Sequence, residues 1–171
     1  MNNRPIFITG TDTDVGKTHI GQRLVGFLYQ QGKSVAPRKP AESGCVITAE
    51  GLLGADSRDY YQACKGAVPL ETINPYRFKA ALAPPAAAAD EGKQLSLQQL
   101  SIACKHSDDA KLIVEGAGGW LSPIADDGLN ADLAERLGAE VVVVAADRLG
   151  CINHILLTLE SIKHRGLQTK A

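Results

Sequence analysis

Residues 6–18 read Ile-Phe-Ile-Thr-Gly-Thr-Asp-Thr-Asp-Val-Gly-Lys-Thr. An apolar run of strand length, Ile6–Thr9, passes into a glycine-bearing turn. Lys17 then opens a helical pattern running to about Gln31, with Ile20, Leu24, Phe27 and Leu28 on one stripe and Gly32 as its stop. Strand, glycine turn and helix in that order predict a phosphate-binding loop. Successive backbone N–H groups of such a turn point inward at an anion, and the helix N-terminus adds free N–H groups and a positive dipole end. Lys17 can reach β- and γ-phosphates as a point charge, and Thr18 can offer its hydroxyl to Mg²⁺. Asp14, Val15, Gly16, Lys17, Thr18 and His19 are therefore the candidate nucleotide-binding residues of the turn. The loop departs from G-x-x-x-x-G-K-[ST] in one respect: Thr11 takes the first glycine's place, and Gly10 stands one residue earlier. Asp12 and Asp14 are expected to turn their carboxylates away from phosphate, leaving only their N–H groups to serve.

Working outward, three further segments read as short buried strands: Ser34–Arg38, Leu112–Glu115 and Val141–Ala145. None alternates cleanly with polar residues, as expected of strands covered on both faces of a parallel sheet. Helical patterns lie between and after them, over about Asp56–Cys64, Ser96–Lys105, Asn130–Leu137 and Cys151–Arg165. The alternation predicts one α/β domain over 1–171, a P-loop NTPase-like three-layer fold with a mostly parallel central sheet. Pro69–Gly92, with prolines at 69, 75, 84 and 85, reads as loop. After the last helix the pattern calls for another strand.

Ligands of open α/β sheets sit beyond the C-terminal ends of the strands. That edge gathers Lys39 and Ser43 after the second strand, and Glu115-Gly116-Ala117-Gly118 at the end of the third. A lysine there can stabilise a transferring phosphoryl group, although a solvated lysine reads the same way. Glu115 ends a hydrophobic strand, where the acid that holds Mg²⁺ in such folds belongs, and the glycines after it admit close backbone approach. Asp56 opens a helix and taken alone reads as an N-cap. Gly150, Cys151, Ile152 and Asn153 open the last helix with a second set of free N–H groups, suited to a carboxylate.

Composition excludes other classes. Apolar residues make up 44% and charged residues 22%, which excludes a disordered chain. With 18 basic and 19 acidic residues the net charge is −1, so no global field draws the chain to nucleic acid or an anionic membrane. No apolar run is long enough to span a bilayer and no signal core is evident, which predicts a cytoplasmic protein. Cys45, Cys64, Cys104 and Cys151 form no close pair and are expected to be reduced thiols. His19, His106, His154 and His164 show no ligand spacing.

Taken in order, G-T-D-T-D-V-G-K-T, then K-P with S-G, then N-P-Y-R-F at Asn74–Phe78, then V-E-G-A-G-G-W, then L-G-C-I-N-H closely resemble the dethiobiotin synthetase family. The resemblance implies a homodimer that takes a small-molecule diamino acid, 7,8-diaminononanoate, and CO₂. It implies ATP as co-substrate, with Mg²⁺, and closure of a cyclic urea through a carbamate and a carbamic-phosphoric anhydride. It implies Lys39 and Lys17 as catalytic residues on the transferring phosphoryl group, and Thr18, Asp56 and Glu115 as Mg²⁺ ligands. Ser43 would contact the substrate, and Gly150–Asn153 would bind its carboxylate from the partner subunit. Ala83-Pro84-Pro85 stands where the family often carries a histidine, and the chain is C-terminally short relative to the family. The alternatives are a nucleotide-dependent switch and a catalytically incomplete remnant of the same superfamily. Asp12, standing where one switch-like branch carries a lysine, favours the enzyme.

Overall fold

The computed structural model describes residues 3–170. Its strands are β1 (Ile6–Gly10), β2 (Val35–Arg38), β3 (Ala41–Glu42), β4 (Val46–Thr48), β5 (Gly51–Leu53), β6 (Tyr76–Arg77), β7 (Lys111–Gly119), β8 (Pro123–Ala125), β9 (Gly128–Leu129) and β10 (Glu140–Val144). Its helices are α1 (Lys17–Gln30), α2 (Ala55–Ala63), α3 (Leu70–Ile73), α4 (Pro84–Asp90), α5 (Leu97–Ala103), α6 (Asn130–Arg136) and α7 (Cys151–His164). The central sheet runs β10-β1-β7-β2, and every pairing in it is parallel.

The continuous apolar strands have the cause expected of them. Along β1, Phe7 enters one core with Leu112, Val114, Ile124, Leu133 and Ile162. Ile6 and Ile8 enter the other with Val25, Val35, Tyr60 and Ile113. Successive side chains of a strand point to opposite faces, so both faces must be apolar when helices cover both. The layers are α1 and α2 on one side and α5, α6 and α7 on the other: a P-loop-type α/β sandwich. Phe7 meets Trp120 edge-on, with ring centroids 6.5 Å apart at 77°.

Glu115 does not end its strand: β7 runs on through the glycines to Gly119. Two further expectations are corrected. Pro69–Gly92 is not all loop. It holds α3, β6 and α4, and α4 begins with prolines in its first turn, where the missing N–H has no helical partner to lose. Asp56 is not the N-cap of α2. Gly54 holds that place without a side-chain cap, and the capping carboxylate comes from Glu42, which accepts from the N–H groups of Asp56 (2.8 Å) and Ser57 (3.1 Å). Beyond α7, Thr169 forms an isolated parallel bridge with Val141, and no strand follows among the described residues. Among the described residues no helix is long and apolar enough to cross a membrane.

Phe7 is fully buried between sheet and helices. Phe7→Ala should cost about 3–5 kcal/mol through lost burial and the cavity left behind. Urea unfolding at constant m-value measures this, and a loss under 1 kcal/mol would mean the face is not packed as described.

Candidate functional site

The C-terminal edge of the sheet carries a cleft of about 450 Å³. Its floor is the turn between β1 and α1. Thr11 N–H donates to Val144 O at 2.9 Å, which ties the turn to the neighbouring strand. A Cβ on Gly10 would lie 2.6 Å from Asp12 O, so the turn closes only over a glycine. Gly16, at φ 99°, is the left-handed residue that starts α1. Asp12 turns its carboxylate back to Thr13 N–H and toward Arg148, as expected. The Lys17 ammonium donates to Asp12 O at 3.0 Å.

Above the floor, Lys39 directly follows β2 and is buried. Its ammonium lies 2.7 Å from both Asp56 Oδ2 and Glu115 Oε1, and 3.2 Å from Gly116 O. The Thr18 hydroxyl lies 2.8 Å from Asp56 Oδ1 and 2.9 Å from Glu115 Oε1; its single proton serves one carboxylate at a time. The Tyr60 hydroxyl donates to Glu115 Oε2 at 2.7 Å. Thus four elements, α1, β2, α2 and β7, each place one or more polar side chains on one point.

The backbone around this point is held as firmly. Asn74 donates to Lys39 O at 2.7 Å, while Lys39 N–H donates to Ile73 O at 2.8 Å. This gives the Asn74–Phe78 motif a physical role. Asn130 is fully buried and donates to the carbonyls of Ala117, Gly119 and Ser122, while its own Oδ1 accepts from Ala117 N–H. It latches the last residues of β7 and the turn that follows.

The electrostatics follow from the geometry. Burial penalises the Lys39 ammonium, but Glu115 and Asp56 override that penalty, and its pKa stands above the ordinary lysine value. Lys39 is a fixed positive charge at neutral pH and not a proton acceptor. Burial lowers the Lys17 pKa, and the Lys39 charge lowers it further. Burial works against ionised Asp56, but Lys39 wins and holds that carboxyl below its ordinary value. Burial raises Glu42 and Tyr60. It also pushes the Cys104 thiol up to about 12 and the Cys45 thiol up to about 11, so neither is a nucleophile.

The structure thus brings together Asp14, Gly16, Lys17, Thr18, Lys39, Ser43, Asp56, Glu115, Ala117 and Gly118 on one cleft. Val15 is half-buried below it, and Gly116 meets it through its carbonyl. His19 is exposed and lines a separate groove with Arg23 and Gln62. Gly150–Asn153 open α7 outside the lining of this cleft, with Gly150 at φ 90°. Glu42, Tyr60, Asn74 and Asn130 were not singled out by function from sequence, although all four act on the site or its frame.

The donor set of Thr18, Asp56 and Glu115 is all oxygen. It fits a hard divalent cation that keeps several waters and shares phosphate oxygens, and is too small for an all-protein cage. Among the described residues no group of three His, Cys, Asp or Glu side chains forms such a cage.

A family model described as an AAA domain matches residues 4–171. A protein of Anaeromyxobacter sp. (strain Fw109-5) is 44% identical over 96% of this chain and 73% of its own length. One of Pseudomonas paraeruginosa is 42% identical over 94% and 72%. One of Cellvibrio japonicus is 40% identical over 98% and 74%. Each of the three bears the name ATP-dependent dethiobiotin synthetase.

Asp56 keeps 34% of its side chain exposed, so solvent screening limits its ion pair to about 1 kcal/mol. Its folded pKa is depressed, so that stabilisation is present above the ordinary value of 3.8 and is lost as pH falls through the folded value. Asp56→Asn should therefore be the less stable protein at pH 7 and should converge with the parent at an acid pH below the depressed folded value, where both carry a neutral group. Paired urea midpoints at the two pH values measure this; an equal gap at both would remove the ion pair as the cause.

Proposed function

Because this chain belongs to the ATP-dependent dethiobiotin synthetase family, we propose that it joins CO₂ to 7,8-diaminononanoate and closes the ring of dethiobiotin, a step of biotin synthesis. It is an ATP-dependent cyclo-ligase. The observation that carries the site assignment is the meeting of Lys17, Lys39, Thr18, Asp56 and Glu115 on one cleft above a phosphate-binding turn.

One amine of the substrate adds to CO₂ and loses a proton, giving a carbamate. A carbamate oxygen bonds to the γ-phosphorus of ATP as the bond to the ADP oxygen breaks, giving a carbamic-phosphoric anhydride. The second amine then bonds to the carbamate carbon and loses a proton, and inorganic phosphate leaves with the C–O bond's electron pair. The protein supplies position and charge, and no covalent nucleophile is required. The N–H groups of Asp14 to Thr18 hold the phosphates at the start of α1. Lys39 with its fixed charge, and Lys17 beside it, place positive charge where the transferring phosphoryl group gains negative charge. Ser43, on the same cleft, contacts the diamino acid. Thr18, Asp56 and Glu115 would hold Mg²⁺, which when bound neutralises phosphate charge.

Gly150–Asn153 bind the substrate carboxylate of a partner subunit in a homodimer. Leu149, Ile152, Leu156 and Leu157 are exposed apolar residues on this loop and helix, which supports a covered face there. The small net charge gives no support to nucleic-acid binding, and the four free thiols fit a cytoplasmic enzyme.

Phosphate release from Mg-ATP and bicarbonate should depend on 7,8-diaminononanoate. Release that ignores the diamine would identify a nucleotide switch, and none in either case an incomplete enzyme. Lys17→Ala should lower diamine-dependent release by about 100-fold or more with its circular dichroism unchanged. Near-parental turnover in that variant would refute the phosphate-loop assignment.

A further inference from the structure

Tyr60 has no part in the reaction as drawn, yet its ring is fully buried and its hydroxyl reaches the site. It sits one helical turn after Asp56 on α2 and makes one side-chain hydrogen bond among the described residues, to Glu115 Oε2 at 2.7 Å. The other oxygen of Glu115 faces the cleft and meets Lys39 and Thr18. Each oxygen of the carboxylate thus has its own set of partners, and the carboxylate cannot rotate without losing both sets.

The path to Oε2 crosses α1, and α1 leaves a gap at that crossing. A Cβ on Gly21 would lie 1.8 Å from the Tyr60 hydroxyl oxygen and 2.7 Å from Cζ. Gly21 lies inside a helix with no positive φ, so its backbone does not require glycine. Glycine there weakens the helix relative to alanine. The hydroxyl's passage is the compensating contact.

We propose that Tyr60 is a positioning residue for Glu115: its hydroxyl commits Oε2 and so holds Oε1 on the cleft side, beside Lys39 and Thr18, as the oxygen a divalent cation would share with them, with Gly21 as the gap that admits the hydroxyl. The inference rests on the reading of Glu115 as a Mg²⁺ ligand. Partners that orient a metal ligand typically change metal affinity by about 10–100-fold when removed.

The test is Mn²⁺ binding with a non-hydrolysable ATP analogue, read from the free-Mn²⁺ electron paramagnetic resonance signal, with the melting temperature alongside. Tyr60→Phe should weaken Mn²⁺ binding by about tenfold. Gly21→Ala should do the same while removing no polar group. The double variant Gly21→Ala with Tyr60→Leu fills the gap and removes the ring. It should bind Mn²⁺ as weakly as Tyr60→Leu alone and melt higher than it, so a Phe variant that fails to fold does not end the test. A Tyr60 that only fills the core would lower the melting temperature and leave Mn²⁺ affinity within twofold, which overturns the inference. A parent protein that binds no Mn²⁺ with the analogue overturns the Glu115 assignment and this inference together. Parental binding with unmoved variants overturns the inference alone.

Discussion

A buried carboxylate must find positive charge or give up its own. Glu115 is that carboxylate here, and the Lys39 ammonium at 2.7 Å is its counter-charge. The consequences spread through the frame. Lys39 stands directly after β2, and its backbone is fixed from both sides by Ile73 and Asn74. Asp56, the second carboxylate on Lys39, rides in the first turn of α2, whose N-terminal N–H groups are fixed by Glu42. Gly54 leaves room for that carboxylate, since a Cβ there would lie 2.1 Å from it. Ion pairs of this kind add little net stability, because desolvation offsets most of the attraction, but losing one partner strands the other. What the arrangement secures is the registration of four elements on one point.

Much of the fold was legible because burial on both faces writes itself into a strand as an unbroken apolar run. Ile6–Thr9 and Val141–Ala145 read that way, and observed β1 and β10 differ from them by about one residue at an end, as helix and strand ends generally do. Some of the site's charged residues were legible for a related reason: Lys39 follows β2 directly, Glu115 closes the apolar run of β7 and Lys17 opens the helix after β1, all on the edge where such sheets bind ligands, whereas Asp56 taken alone read only as an N-cap. The failures have physical causes too. Pro84 and Pro85 read as breakers, although a helix tolerates proline in its first turn, and the alanines after them supply the rest of α4. Tyr60 fits the apolar stripe of α2, and nothing in a one-dimensional pattern says that its hydroxyl meets a carboxylate 55 residues away. Glu42 and Asn130 serve backbone N–H and carbonyl groups, and such partners leave no spacing to read.

The turn itself shows how a deviant spacing keeps its function. The place of the first glycine belongs to Thr11, whose N–H is spent on Val144 O. The tight closure falls to Gly10 one residue earlier, and the left-handed residues Asp14 and Gly16 complete the curve into α1. Aspartate is among the few non-glycine residues that adopt this conformation readily. The acidic residues that look misplaced beside phosphate are thereby tolerated, Asp14 for its backbone and Asp12 because its carboxylate faces Thr13 and Arg148.

The strand order has a consequence for how the molecule comes into being on the ribosome. β1 lies in the middle of the sheet, yet Ile6 pairs with Ile113 and Glu140, both contributed by the later half of the chain. During vectorial synthesis the Ile-Phe-Ile run therefore emerges long before either neighbour exists. Until then α1 is the nearest native partner that can form by local contacts. Closing such long loops before any pairing repays them makes the sheet slow to assemble. In that interval the apolar strand is unpaired and stands ready to pair with another nascent chain, which makes it the segment most exposed to misassembly.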